Sequence, residues 1–96
     1  MLYFMTVGRE ARRSERQAKV AAVFGERLTG PALDLLELVE FGWHDCYDEI
    51  TPPNDIVDDM LVVSQGDLAR LIHAAHLAIV EWRDLRVAAD DLRHRA

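Results

Sequence analysis

The residues best equipped for chemistry lie between Trp43 and Glu49, in the run WHDCYDE. It holds an imidazole, a thiol, a phenol and three carboxylates, with Glu40 just upstream. Glu40 and His44 are four apart, as are His44 and Asp48, so on a helix the three share a face. Glu and His at such spacings hold metals in helical bundles. The Glu-x-x-His pattern of di-iron bundles, however, occurs nowhere in the chain. A second pair, His73 and His76, sits on adjacent turns of a later helix. Together these two imidazoles could hold a divalent metal if a carboxylate came from another helix or subunit. His44, Asp48, His73 and His76 are therefore the candidate metal ligands. They fall short of a complete four-ligand set on one element, and no cofactor is implied.

Cys46 falls beside Trp43 on the apolar stripe of its helix, where a free thiol behaves as a small hydrophobe. A nucleophilic cysteine needs an adjacent base and an oxyanion site. His44, two residues away, points elsewhere on a helix. With no phosphate loop, nucleophile elbow or zinc-finger spacing, the chain is expected not to be an enzyme.

A third chemistry is carried by Arg9, Arg12, Arg13 and Arg16, at three- and four-residue spacings on one broad helical face. Such a face could meet nucleic-acid phosphates. The rest of the chain argues against that partner. Residues 29–69 contain ten acids and no Lys or Arg, and the net charge is −6. A basic first third and an acidic middle should attract one another. The first helix is therefore expected to pack along the acidic second one, or along that of a partner chain.

The elements that carry these residues follow from periodicity and punctuation. An apolar start, MLYFMTV, reads as an arm over residues 1–8. Residues 9–28 form a helix whose second half brings Val20, Phe24 and Leu28 to core spacing. Thr29-Gly30-Pro31 punctuates the chain. A second helix over 31–48 places Ala32, Leu35, Leu36, Val39, Trp43, Cys46 and Ile50 on its core stripe, with Leu38 and Phe41 on a flank. Gly42 would let another helix approach there. Pro52 and Pro53 end this helix, and a short third one spans 53–63.

Ser64, as N-cap with Asp67 three residues on, opens a long helix over 66–93. No Gly or Pro follows to stop it, so from Asp67 to Arg93 it would run about 40 Å at 1.5 Å per residue. Its main stripe is Leu68, Leu71, Ile72, Ala75, Ala78, Ile79, Trp82, Leu85, Ala89 and Leu92. A thinner set on the far side, Leu77, Val80 and Val87 with Ala69, suggests a second buried face. With Trp82, which ends the long stripe, Leu77, Val80 and Val87 are the candidate interface.

The 96 residues make one domain, half apolar and with only three Pro, so the composition is not that of a disordered chain. A single Cys rules out an intramolecular disulfide and fits a reducing cytoplasm. The apolar start precedes the basic residues, the reverse of a secretory leader, and no run is long enough to span a bilayer. The expectation is an all-α bundle of three main helices and one short one, homodimeric through its long C-terminal helix. Its expected function is protein–protein interaction or regulation in the cytoplasm, with an unknown protein partner. The alternatives are a metal- or ligand-binding bundle and a nucleic-acid-associated regulator.

Overall fold

A computed structural model describes residues 8–95, which are all-helical apart from short connections. Five helices follow in order: α1 (Arg9–Phe24), α2 (Glu26–Tyr47), α3 (Asn54–Ser64), α4 (Leu68–Val80) and α5 (Trp82–Arg95). The expected arm lies, apart from Gly8, outside the described residues. With a Cα radius of gyration of 12.7 Å and extents of 41 × 29 × 19 Å, the bundle has the size typical of a single domain.

The first helix boundary lies at Gly25, earlier than the punctuation at 29–31 predicts. Gly25 adopts φ 78°, ψ 167°, a conformation open essentially to glycine, and it joins α1 to α2 without a longer loop. The Thr29 hydroxyl donates to the Gly25 carbonyl at 2.7 Å, which winds residues 26–30 into the first turns of α2. Pro31 is accommodated inside α2, where its missing N–H deprives only the carbonyl of Arg27, near the exposed start of the helix.

The α3–α4 turn uses two left-handed residues, Gln65 at φ 50° and Gly66 at φ 78°. A Cβ on Gly66 would stand 2.7 Å from the Val23 carbonyl oxygen, so the end of α1 rests directly on this turn. Ser64 belongs to α3 and does not cap the next helix, its hydroxyl donating to the Leu61 carbonyl. The N-cap of α4 is Asp67, which accepts from the Arg70 backbone N–H at 3.1 Å.

The largest departure from the sequence reading is at Glu81. The single helix expected over 66–93 is two, because Glu81 takes an extended conformation, φ −157°, ψ 89°. Freed from one another, α4 and α5 orient separately. α4 buries Leu71, Ala74 and Ala78, turning Ile72 outward, whereas α5 buries Leu85 and Ala89. Trp82 is half-buried against the core, and so is Leu77.

The core is built from all five helices, with Val20, Leu36, Trp43, Met60, Leu71 and Leu85 among its contributors. Two residues expected on the α2 stripe are outside it. Cys46 is exposed, and Ile50 lies beyond the end of α2 and is also exposed. The stripe of α2 closes at Trp43 and Tyr47, whose rings sit 4.3 Å apart.

Candidate interaction surface

The charge asymmetry resolves into ion pairs. Arg13 on α1 reaches Asp34 (2.8 Å) and Glu37 (3.0 Å) on α2. Arg12 and Arg16 converge on the buried carboxylate of Glu40, Arg16 also donating to the Thr51 hydroxyl at 2.8 Å. Lys19 pairs with Asp58 on α3 at 2.7 Å. Burial pulls the Arg16 guanidinium below its ordinary value while Glu40 draws it back up. Arg13 is raised by its hydrogen bonds to Asp34 and Glu37. Three of the four arginines that could have met phosphates are thus engaged within the chain.

A second buried carboxylate, Asp59 on α3, receives Arg86 and Arg93 from α5, the latter at 2.9 Å. Hydrogen bonding to Asp59 is the main cause raising both guanidinium pKa values. α5 is therefore fastened to α3 by charge as well as by Leu85 and Ala89.

The candidate metal ligands fall in two places, His44 and Asp48 at the end of α2 and His73 and His76 on α4. His44 lies on the last turns of α2. Asp48 follows it as the left-handed C-cap (φ 57°), its backbone N–H bonded to the His44 carbonyl at 2.9 Å. His73 and His76 lie exposed on α4. Among the described residues no three His, Cys, Asp or Glu side chains gather as a metal would need.

The end of α2 carries a polar depression lined by His44, Asp45, Cys46, Tyr47 and Asp48, and two further concave regions are more apolar. One is an aromatic cleft of about 310 Å³ where α2, α3 and α5 meet, lined by Trp43, Tyr47, Glu49, Ile56, Trp82 and Arg86 among others. Its polar groups are engaged with one another. Trp43 Nε1–H donates to Glu49 at 2.9 Å, the Tyr47 hydroxyl donates to the Ile79 carbonyl at 2.9 Å, and Arg86 is held by Asp55 and Asp59. Arg83 covers the Trp82 ring at 4.8 Å. These pairings satisfy the polar groups around the cleft within the chain.

The other is a groove of about 320 Å³ between α2 and α4. Leu35, Leu38, Val39 and Gly42 line it from α2 at i, i+3, i+4, i+7. Ile72, Ala75, His76, Ile79 and Val80 line it from α4 with the same rhythm. The missing side chain at Gly42 brings the helices together, since a Cβ there would stand 3.1 Å from Ile79 Cδ1. Leu38 (65% exposed), Ile72 (56%) and Val80 (64%) form the banks, and apart from His76 no lining residue is ionisable.

Of the residues expected at an interface, Val80 is on this surface. Leu77 and Trp82 pack on the core, and Val87 is exposed on α5. Periodicity alone places Leu38 on a flank of α2 and Ile72 on the core stripe, although Leu35, Leu38 and Gly42 form an i, i+3, i+7 stripe in the sequence. No helix among the described residues is long and apolar enough to cross a membrane. Neither a protein-family model, nor a curated protein, nor a solved structure matches the chain.

Proposed function

We propose that the chain is a non-enzymatic protein–protein interaction module that forms a homodimer through the α2/α4 groove. The observation that carries this reading is the groove itself. Its apolar banks, Leu38 on one side and Ile72 and Val80 on the other, flank a floor of small residues at Gly42 and Ala75. A two-fold interface must be self-complementary, and a surface with both ridges and a trough meets that condition. The ridge of one copy enters the trough of the other. Exposed apolar residues grouped around a groove, as Leu38, Ile72 and Val80 are here, suit an interaction site better than apolar residues scattered singly.

Each copy carries a net charge of −6, so two copies repel at long range while their uncharged faces attract at contact. Salt screens the first effect and leaves the second, so self-association should strengthen as NaCl rises. Sedimentation equilibrium at micromolar to millimolar concentration tests the reading. The expected mass is twice 10.9 kDa, reverting to one chain in Leu38→Glu/Ile72→Glu with the fold intact by circular dichroism. A native chain that stays monomeric throughout this range would overturn it.

A further inference from the structure

The break at Glu81 occurs in a sequence that has no breaker, and this asks what holds it. From Leu68 to Arg95 there is neither Gly nor Pro, yet the helix stops and restarts around one residue. In an uninterrupted helix the Arg83 N–H would donate to the Ile79 carbonyl. Here both halves of that bond are taken by side chains. The Ile79 carbonyl accepts from the Tyr47 hydroxyl at 2.9 Å, and the Arg83 N–H donates to the Glu81 carboxylate at 3.2 Å. Before the corner Glu81 N–H still bonds the Leu77 carbonyl; after it the ladder restarts from Glu81, whose carbonyl accepts from both Asp84 N–H at 3.1 Å and Leu85 N–H at 3.4 Å. Straightening the corner gives up these two side-chain bonds and restores the i→i−4 main-chain bonds that the corner interrupts.

α5 packs more on α3 than on α4. Its anchors are Leu85, Ala89 and the two arginines that meet buried Asp59. None of these contacts depends on which chain supplies α5. If α4 and α5 fuse, the 28 residues from Leu68 to Arg95 span about 42 Å at 1.5 Å per residue. This equals the longest dimension of the whole molecule, 41 Å. Because α5 meets α3 only after the change of direction at Glu81, straightening re-aims α5 away from its own α3 and leaves the cradle around Asp59 open for the same helix of another copy.

We propose that α5 is an exchangeable element, and that a second copy of this chain docks its α5 onto α3 when the Glu81 corner straightens. Exchange of an identical element is a low-cost route to a dimer because the contacts already exist in the monomer. The proposal stands apart from the α2/α4 groove, and the test is run with that groove disabled by Leu38→Glu/Ile72→Glu.

In this background Tyr47→Phe/Glu81→Ala removes both side-chain substitutes at the corner. Light scattering after size exclusion should show the dimer fraction raised roughly tenfold or more over the unmodified corner, the effect of deleting two ordinary hydrogen bonds. A corner variant that folds and stays monomeric at every concentration overturns the proposal. A second pair of variants separates exchange from adventitious association and decides the matter if the corner variant fails to fold. Asp59→Arg in one copy and Arg86→Asp/Arg93→Asp in the other each set like charges together within a chain. Refolded as a mixture, both cradles of an exchanged heterodimer are complementary. A 1:1 heterodimer melting above either variant alone supports exchange. A mixture that behaves as the sum of its components overturns it, even if the corner variant dimerises.

Discussion

Replacing Glu40 by Gln tests whether the buried charge cluster between α1 and α2 is a structural requirement. The Glu40 side chain is 3% exposed and meets Arg12 and Arg16, themselves only 17% and 9% exposed. Gln keeps the shape and one acceptor oxygen but turns an N–H group toward an arginine and removes the charge. Two guanidinium groups are left facing each other, one of them already depressed by burial. Removing one partner of a buried pair costs about 3–5 kcal/mol. Arg12 has some access to water, which lowers the expectation to about 2–4 kcal/mol.

A 96-residue domain has roughly 5–14 kcal/mol in total, so this is a large share. The melting temperature should fall by roughly 10–30 °C. Urea denaturation followed by circular dichroism is the assay, with an unchanged m-value as the sign that only stability moved. A loss below about 0.5 kcal/mol, the size of an exposed pair, would refute the view that Glu40 is desolvated. The triple variant Arg12→Met/Arg16→Leu/Glu40→Leu supplies the contrast. With all three charges gone no charge is stranded, the half-buried Thr51 hydroxyl losing only its Arg16 donor, and stability should match or exceed that of the parent.

Three further outcomes are expected. Gly66→Ala forces a side chain to φ 78° and against the Val23 carbonyl, and should cost about 2–4 kcal/mol by denaturation. Gly42→Ala replaces a helical glycine, a gain of about 1 kcal/mol, against crowding of the movable Ile79 terminus. The monomer should melt at the same temperature or slightly higher while sedimentation shows weaker self-association, because the new methyl fills the groove floor. Trp82→Ala should cost about 1–3 kcal/mol, less than a fully buried aromatic, and a loss above about 4 kcal/mol would show that Trp82 is more deeply held than its half-burial implies.

The all-helical class was legible because α1, α2 and α3 carry their apolar residues at helical spacing and because Pro52-Pro53 ends α2. The pairing of α1 arginines with α2 acids was legible from charge alone, since residues 29–69 hold no cation of their own. The corner at Glu81 was not. Besides the local bond from Arg83 N–H to the Glu81 carboxylate, it is supported by the Tyr47 hydroxyl, thirty-odd residues away in the chain, and by the hold of Asp59 on α5, and neither of these leaves a local mark. Reading 66–93 as one helix forced a single stripe on two elements, which put Ile72 in the core and hid it from the interface. Thr29-Gly30-Pro31 misplaced the first boundary for a different reason. Gly25 reads equally as a weak helical residue or as a joint, and only its positive φ decides between them. His44, Asp48, His73 and His76 share spacings that suit a metal, but among the described residues no three such side chains gather.

α1 packs principally on α2, and beyond that helix its polar ties go to Thr51 and Asp58. The α2–α5 portion closes on itself through α3, which meets both α4 and α5 extensively. Such an arrangement is expected to divide the native state into two cooperative units of unequal depth. Opening of α1 about Gly25 requires Val20 and Phe24 to leave the core but keeps the α3 assembly intact, so it lies below global unfolding in free energy. Amide hydrogens of α1 should exchange through that partial opening, and those at the centres of α3 and α4 should wait for the whole domain to unfold.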